Sequence, residues 1–156
     1  MNAPRKCVIG VGSPHGDDQI GWLIADAVHV LAADRCSVHK VASPLEILNW
    51  IDDAEWLGIC DACRGTGHIG DWNSWTWPDD RIVTQEFAGS HDVGLSATLN
   101  LAARLERLPT AIRIWGIEIG DCQPGDHVSR AAKAAISAVA NAIVREIMLA
   151  GGDHHA

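Results

Sequence analysis

The stretch KCVIGVGSPHGDDQIG, residues 6–21, indicates the class of the fold because it joins two different apolar patterns across one short polar loop. Residues 6–11 are mostly apolar, which is typical of a strand buried on both faces in a parallel sheet. From Ile20 to Leu31 the apolar residues recur at steps of three and four, which predicts a helix with one apolar stripe. The loop between them carries glycines, a proline, a histidine and two adjacent aspartates. A loop of this composition is either a tight turn with a helix cap or a metal or catalytic site.

The alternation of strand and helix patterns continues along the chain. Further strands are predicted at residues 35–41, 56–62 and 111–119, with an edge strand or hairpin arm at residues 72–77. Further helices are predicted from Pro44 to Ile51, from Gly94 to Leu108 and from Val128 to Met148. This order predicts one α/β domain over residues 6–150, with three α/β/α layers around a twisted, mostly parallel sheet of about five strands. Residues 151–156 are expected to form a flexible tail.

The composition excludes several classes of protein. The chain has 156 residues, of which 47% are hydrophobic and 21% charged, as in a single globular domain. Its net charge of −8 argues against binding to the phosphate backbone of nucleic acids, which needs clustered cations. No apolar run approaches the ~20 residues of a membrane-spanning helix. Five cysteines at irregular spacing favour reduced thiols, so we expect a cytoplasmic protein. We also expect a monomer that has neither nucleic acid nor a membrane as a partner.

Three loops at the predicted carboxyl ends of strands carry polar side chains, and ligands bind at this edge of doubly wound sheets. The first loop holds His15, Asp17 and Asp18, the second is CDAC with Asp61, and the third is GSHDVG with His91. Each has a simple structural explanation when taken alone. Asp17 suits the N-cap of the first helix, and Asp18 suits its first turn. Asp61 can cap the turn after its strand, and His91 can be a surface residue at the start of a helix.

Taken together, the three loops indicate a metal site. Parallel strands end at the same edge of a sheet, so the polar side chains of the three loops are expected to lie close together if the strand order makes these loops neighbours. Two carboxylates and one imidazole suit a borderline divalent ion such as nickel or zinc, and they leave positions open for water or substrate.

Other motifs match known patterns poorly. Gly10-Val11-Gly12 begins a dinucleotide-binding fingerprint, but the third glycine is displaced and two aspartates oppose a pyrophosphate at the helix start. Around Ser13 the glycines fall at the wrong offsets for a nucleophile elbow, and residues 94–98, which read GLSAT around Ser96, lack its second glycine. Cys60 and Cys63 have the spacing of a redox or zinc pair, but no second cysteine pair completes a zinc site. Two buried small residues are the simpler explanation for this pair.

The motifs VIGVGSPHGDDQIG, ICDAC and GSHDVGLSATLN resemble, in their order and spacing, those of the [NiFe]-hydrogenase maturation endopeptidases. The resemblance runs from about residue 6 to residue 148. In that family the first motif is typically Gly-x-Gly-Asn followed by Asp-Asp or Asp-Glu, and the later motif Ser-His-x-x-Gly-Leu is matched here by residues 90–95. The resemblance implies a cytoplasmic protease that removes a C-terminal extension from the hydrogenase large-subunit precursor after nickel insertion.

The resemblance also implies the residues of the site. The family's metal-binding and catalytic residues carry over onto Asp18, Asp61 and His91, with nickel bound at the site and shared with or carried by the substrate. Because the family has no serine or cysteine nucleophile, the expected chemistry is attack by water on a peptide carbonyl, with a carboxylate as general base. The metal either acts in catalysis or serves as a recognition handle on the substrate, and the resemblance leaves both open.

The chain departs from the family pattern in its first loop. Ser13 replaces the usual asparagine, and the loop is about one residue shorter, so His15 is closer to the site and becomes a candidate extra ligand. Residues 41–46 read VASPLE, which leaves open the hydrogenase that is processed and the bond that is cleaved. Two alternative functions of other classes remain open. One is a non-proteolytic, metal-sensing binding or chaperone protein of the same fold, and the other is a redox protein that uses Cys60 and Cys63.

Overall fold

The computed structural model describes residues 5–65, 67–79, 86–87, 94–120 and 127–152, with residues 86–87 and 151–152 described through their backbone alone. The strands are β1 (Lys6–Val11), β2 (Ser37–Val41), β3 (Trp56–Arg64), β4 (Trp72–Thr76), β5 (Glu86–Phe87) and β6 (Ala111–Glu118). The α-helices are α1 (Ile20–Ala32), α2 (Leu95–Arg104) and α3 (Arg130–Gly152), and two 3-10 helices span Gly16–Gln19 and Pro44–Asn49. This order of elements confirms the α/β class that the apolar spacing predicts.

The strands form one sheet in the order β2-β1-β3-β6-β4, and the two-residue strand β5 pairs with β3 beside this path. β2, β1, β3 and β6 run parallel to one another, whereas β4 and β5 are antiparallel to their partners. The prediction of a mostly parallel sheet of about five strands is confirmed, and β4 is the predicted edge strand. Because β1, β3 and β6 are parallel neighbours, they end at one edge of the sheet, which we call the carboxyl edge.

Helices cover both faces of the sheet and give the three predicted layers. Side chains alternate along each strand, so β3 sends Leu57 and Ile59 to one face and Trp56 and Cys60 to the other. The first face packs against α2 and the 3-10 helix Pro44–Asn49, and the second face packs against α1 and α3. The two clusters are the two halves of the hydrophobic core.

Two glycines of the opening stretch let α1 lie directly on β1. A Cβ atom at Gly10 would lie 2.2 Å from the carbonyl oxygen of Gly21, and one at Gly21 would lie 2.0 Å from the carbonyl oxygen of Val11. Real Cβ atoms do not approach other atoms so closely, so a side chain at either position would push helix and strand apart. This contact places the start of α1 at the carboxyl edge.

The helix predicted from Pro44 is a 3-10 helix and not an α-helix. The N–H of Trp50 donates to the carbonyl oxygen of Ile47 at 3.0 Å, which is the i to i+3 spacing of a 3-10 turn. Glu46 accepts a hydrogen bond from the N–H of Ser43 at 2.8 Å and completes a capping box at the start of this helix. Apolar spacing over so short a segment fits both kinds of helix, so the sequence pattern does not separate them.

The last helix, α3, runs past its predicted end at Met148 to Gly152. Residues 153–156 of the predicted tail lie outside the described residues, so the flexibility of the tail stays a prediction. Within the described ranges, no helix combines the length and the apolar character that crossing a membrane requires.

Candidate functional site

Asp61 lies inside β3 and not in the turn after it. β3 continues to Arg64 because it pairs with β6 as far as Glu118 and because β5 pairs with Cys63 and Arg64. The explanation of Asp61 as a turn cap is therefore wrong. Its side chain has no exposed surface, and alternation along β3 puts it on the same face as Ile59.

The carboxylate of Asp61 is buried in surroundings that disfavour its charge. Neither of its two oxygens has a hydrogen-bond partner among the described residues. Burial raises the pKa of Asp61 well above its ordinary value, and the nearby charge of Asp18 raises it further. The backbone amide of Ala62 opposes this rise in pKa, although its contact with the carboxylate does not have the geometry of a hydrogen bond. Because an ionised carboxylate without donors is costly inside a protein, the site favours a proton or a cation at Asp61.

Asp18 approaches Asp61 from the loop after β1. It belongs to the 3-10 helix Gly16–Gln19 and is only 7% exposed. Two backbone hydrogen bonds fold this loop: the Asp18 N–H donates to His15 at 3.0 Å, and the Ser13 N–H donates to the Asp18 carbonyl at 3.1 Å. The 3-10 helix that holds Asp18 contacts β3, which holds Asp61, and the charge of Asp18 raises the pKa of Asp61, so these two predicted site residues lie near each other.

The prediction that Asp17 caps the first helix is wrong. The N-cap residues of Gly16–Gln19 and of α1 are His15 and Gln19, and neither makes a side-chain capping hydrogen bond. Instead, Oδ1 of Asp17 accepts from the backbone N–H of Ser129 at 2.6 Å, and Oδ2 accepts from the Ser129 hydroxyl at 2.8 Å. A 3-10 turn separates Asp17 from α1, and it directs the carboxylate toward the start of α3. Ser129 is distant in the sequence, and no local pattern indicates this contact.

The structure describes one of the two candidate histidine ligands. His15 is exposed just before the 3-10 helix of the first loop, and its role as an extra ligand stays a prediction. In the part of the chain that the structure describes, no group of three His, Cys, Asp or Glu side chains is arranged to hold a metal ion. His91 lies outside the described residues, so its place in the site also stays a prediction. Phe87, which precedes it in the chain, pairs through its backbone with Cys63 of β3.

Cys60 and Cys63 lie on opposite faces of β3, because side chains alternate along a strand. Cys60 packs into the cluster under α1 and α3, and Cys63 packs into the cluster under α2. Neither forms a disulfide. Burial raises the pKa of the Cys60 thiol, and the charge of Asp61 raises it further, so the reactive thiolate is disfavoured. The two sulfur atoms cannot meet across the sheet, which excludes a redox protein that uses this pair.

Glu118 is a further buried carboxylate, and no motif in the sequence predicts a role for it. It is 4% exposed, and its two carboxylate oxygens accept from the backbone N–H groups of Gly65 and Gly67 at 2.9 and 3.0 Å. It thereby holds the loop after β3 against the end of β6. The only signal in the sequence is an acidic residue in the apolar run WGIEI, residues 115–119.

The carboxyl edge therefore brings two buried carboxylates together from different elements, Asp18 from a loop and Asp61 from a strand. Without a cation, burial and mutual repulsion favour keeping one proton on the pair. With a divalent cation nearby, both groups can ionise because the positive charge offsets their repulsion. The pair can thus bind a cation, and it can accept and release a proton.

Comparison with known proteins shows a shared fold. No protein-family model matches the chain. No curated protein matches its sequence. The solved structures that share the fold include three hydrogenase maturation enzymes. The hydrogenase maturating endopeptidase HybD from E. coli is 18% identical, with 94% of each chain covered and a TM-score of 0.80.

The other two structures come from archaea. The [NiFe] hydrogenase maturation protease HybD from Thermococcus kodakarensis is 18% identical, with 92% of this chain and 99% of that chain covered and a TM-score of 0.68. The hydrogenase 2 maturation peptidase from a Thaumarchaeota archaeon is 22% identical, with 92% and 97% covered and a TM-score of 0.67. This chain therefore has the fold of these proteins over nearly its whole length.

Proposed function

We propose that this chain is an endopeptidase that removes a C-terminal extension from the large-subunit precursor of a [NiFe]-hydrogenase after nickel insertion. The observation that carries the proposal is the buried pair of carboxylates, Asp18 and Asp61, at the carboxyl edge of the sheet. The shared fold with hydrogenase maturation proteases supports it. The motif at residues 90–95, which contains His91, adds the resemblance in sequence.

Nickel belongs to the substrate in this proposal, because the precursor carries it to the site. Both oxygens of Asp61 are buried without hydrogen-bond partners among the described residues, and Asp18 adds a second carboxylate, so this pair fits a divalent cation. An imidazole from His91 would add the nitrogen donor that favours nickel or zinc over magnesium or calcium. When bound, nickel would polarise the peptide carbonyl or the attacking water. His15, exposed on the same loop as Asp18, is the candidate for an additional contact.

Hydrolysis of a peptide bond by water needs a group that takes a proton from the water and returns it to the leaving amine. Asp61 suits this role because burial and the charge of Asp18 raise its pKa, which makes it a better proton acceptor near neutral pH. A carboxylate has two oxygens, so Asp61 can contact the cation through one oxygen and hold a proton on the other. Asp18 supplies the second negative charge and orients the nickel-bearing end of the substrate.

The test is a cleavage assay with nickel-loaded precursor, in which mass spectrometry weighs the large subunit and the released peptide. We expect a single cut near the C terminus, and no cut when the precursor lacks nickel. Asp18→Asn, Asp61→Asn and His91→Ala should each leave the precursor intact while the variant keeps the wild-type circular dichroism spectrum. Asp26→Asn is the matched control and should cleave normally, because Asp26 lies on α1 and pairs with Lys40 at 3.0 Å on the protein surface.

An intact nickel-loaded precursor after incubation with the wild-type chain would contradict the peptidase proposal. If the chain still bound that precursor, it would be the non-proteolytic, metal-sensing binding or chaperone protein of the same fold. Full activity in one of the three site variants would remove that residue from the site. The cytoplasmic location and the monomeric state stay predictions, which cell fractionation and analytical ultracentrifugation can test.

A further inference from the structure

The two adjacent aspartates of the first loop have different surroundings although both are 7% exposed. Both oxygens of Asp17 accept hydrogen bonds from Ser129, one from the backbone N–H at 2.6 Å and one from the hydroxyl at 2.8 Å. Hydrogen bonds to an ionised carboxylate are shorter and stronger than bonds between neutral groups. The proposed reaction uses Asp18 and assigns nothing to Asp17.

Ser129 immediately precedes α3, at its N-cap position. Its hydroxyl accepts from the N–H of Ala132 at 3.2 Å, and its carbonyl accepts from the N–H of Lys133 at 2.9 Å, as an N-cap residue does. Asp17 therefore places its negative charge at the positive end of a 23-residue helix. α3 packs along α1 through side chains that are fully buried, such as Ile143. The helix is thus a rigid base to which the first loop is attached.

Asp17, which is hydrogen-bonded to Ser129, is joined directly to Asp18 by a peptide bond. The Asp18 N–H bonds to His15 at 3.0 Å and its carbonyl accepts from Ser13 at 3.1 Å, so the backbone around Asp17 is held in a closed turn. Successive side chains of a 3-10 helix point about 120° apart, so Asp17 can face α3 while Asp18 faces Asp61. Loss of the bonds to Asp17 would detach this turn from α3 and let the Asp18 carboxylate move relative to Asp61.

We propose that Asp17 and Ser129 are positioning residues, which hold the Asp18 carboxylate against Asp61 from the start of α3 without touching the substrate. The inference rests on the proposed function, because it concerns the geometry of the same nickel site. Residues that orient metal ligands typically change metal affinity by about 10–100-fold when they are lost. The affinity for Ni²⁺ should therefore depend on two residues that are not ligands.

The experiment is calorimetric titration of the full chain with Ni²⁺ alone. Asp17→Ala removes both bonds to Ser129 and should weaken Ni²⁺ binding about 10-fold or more. Ser129→Ala removes only the hydroxyl bond and should lie between Asp17→Ala and wild type, whereas Ser129→Thr keeps a hydroxyl and should bind as wild type does. The double variant should bind no more weakly than Asp17→Ala, because both changes break the same link. Asp26→Ala, which removes an exposed aspartate of α1, is the control and should bind normally.

A purely structural role would give another pattern of results. The melting temperature of the variants would fall while the folded protein kept its Ni²⁺ affinity, and Ser129→Thr would not differ from Ser129→Ala in that affinity. Wild-type affinity in Asp17→Ala and Ser129→Ala would overturn the inference and leave the nickel site intact. A wild-type chain that binds no Ni²⁺ on its own would overturn the inference, whereas the proposed function, in which the precursor carries the nickel, would stand or fall by the cleavage assay. If Asp17→Ala does not fold, Ser129→Ala and Ser129→Thr decide by the same criterion.

Discussion

The two ends of the sheet place charged side chains in opposite surroundings. At the end where β3 and β6 begin, Arg107 donates two hydrogen bonds to Asp52, at 2.7 and 3.1 Å, and both side chains are partly exposed to water. At the carboxyl edge, Asp61 is buried beside a second carboxylate, Asp18. Opposite charges paired in solvent are tolerated easily, whereas like charges buried together lower the free energy of unfolding. Proteins keep such unfavourable groups where activity requires them.

The largest effect should come from removing one member of the buried pair with Asp61→Asn. The variant keeps the shape of the side chain but loses the proton acceptor, so cleavage of nickel-loaded precursor should slow by about 10²–10⁴-fold. A time course followed by mass spectrometry measures the rate, and Asp52→Asn at the other end of the sheet is the control. A wild-type rate in Asp61→Asn would show that this carboxylate takes no part in the reaction.

The carboxyl edge also depends on the close contact of α1 with β1, which Gly21→Ala should disrupt. The new Cβ atom would lie 2.0 Å from the backbone carbonyl oxygen of Val11, so the helix must move. We expect the free energy of unfolding in urea to fall by about 3 kcal/mol. Gly120→Ala is the control, because its Cβ would meet only the end of the Ile69 side chain, at 3.0 Å. Equal losses in both variants would contradict the special role of the α1 contact.

Asp61→Asn should stabilise the metal-free protein even though it abolishes cleavage. Burial raises the folded-state pKa of Asp61 above its unfolded value, so the folded chain binds this proton more tightly. The free energy of unfolding of the wild type therefore falls as pH rises from the ordinary carboxyl pKa to the raised one. Asparagine does not ionise, so its free energy of unfolding does not fall in this way. Near neutral pH the variant should therefore be more stable by about 0.5–2 kcal/mol.

Urea titrations in the presence of a chelator, at neutral and acid pH, measure this difference. The advantage of Asp61→Asn should shrink below the ordinary Asp pKa of about 3.9, where the wild-type carboxyl is protonated in both folded and unfolded states. An advantage that does not change with pH would show that the charge of Asp61 is not its cause.

The smallest effect should come from Asp52→Asn at the opposite end of the sheet. Its partner Arg107 keeps a hydrogen bond to the carbonyl oxygen of Leu48, and the ion pair is screened by water. We expect only a slight decrease in the free energy of unfolding, which disappears in high salt, and an unchanged rate of cleavage. A large decrease in the free energy of unfolding that persists in high salt would show that the exposed ion pair is not screened by water.

Much of the fold can be predicted from the sequence because burial along a strand or a helix repeats with a local period. The apolar spacing places β1, α1, β3 and β6 close to where the structure has them. It also places Asp18 and Asp61 at one edge, because parallel strands end together. His91, the third predicted ligand, lies outside the described residues and stays a prediction.

The partners of individual polar groups could not be predicted in the same way. Asp17 has the spacing of a helix cap, yet its carboxylate binds Ser129, whose position depends on how α3 packs against α1. Cys60 and Cys63 have the spacing of a redox pair, which becomes impossible once β3 is known to extend through both residues. In each case a short motif fits two structures, and contacts with distant segments select one.

The α/β class of the fold and the edge at which its polar residues gather can be predicted from the sequence, because both follow from apolar periodicity and from the direction of parallel strands. Tertiary packing alone decides that the carboxylate of Asp17 binds Ser129 instead of capping a helix. It also decides that Asp61 is fully buried, since β5 and β6 extend β3 past that residue. Burial and long-range hydrogen bonds arise from packing between distant segments, and a local stretch of sequence does not contain that information.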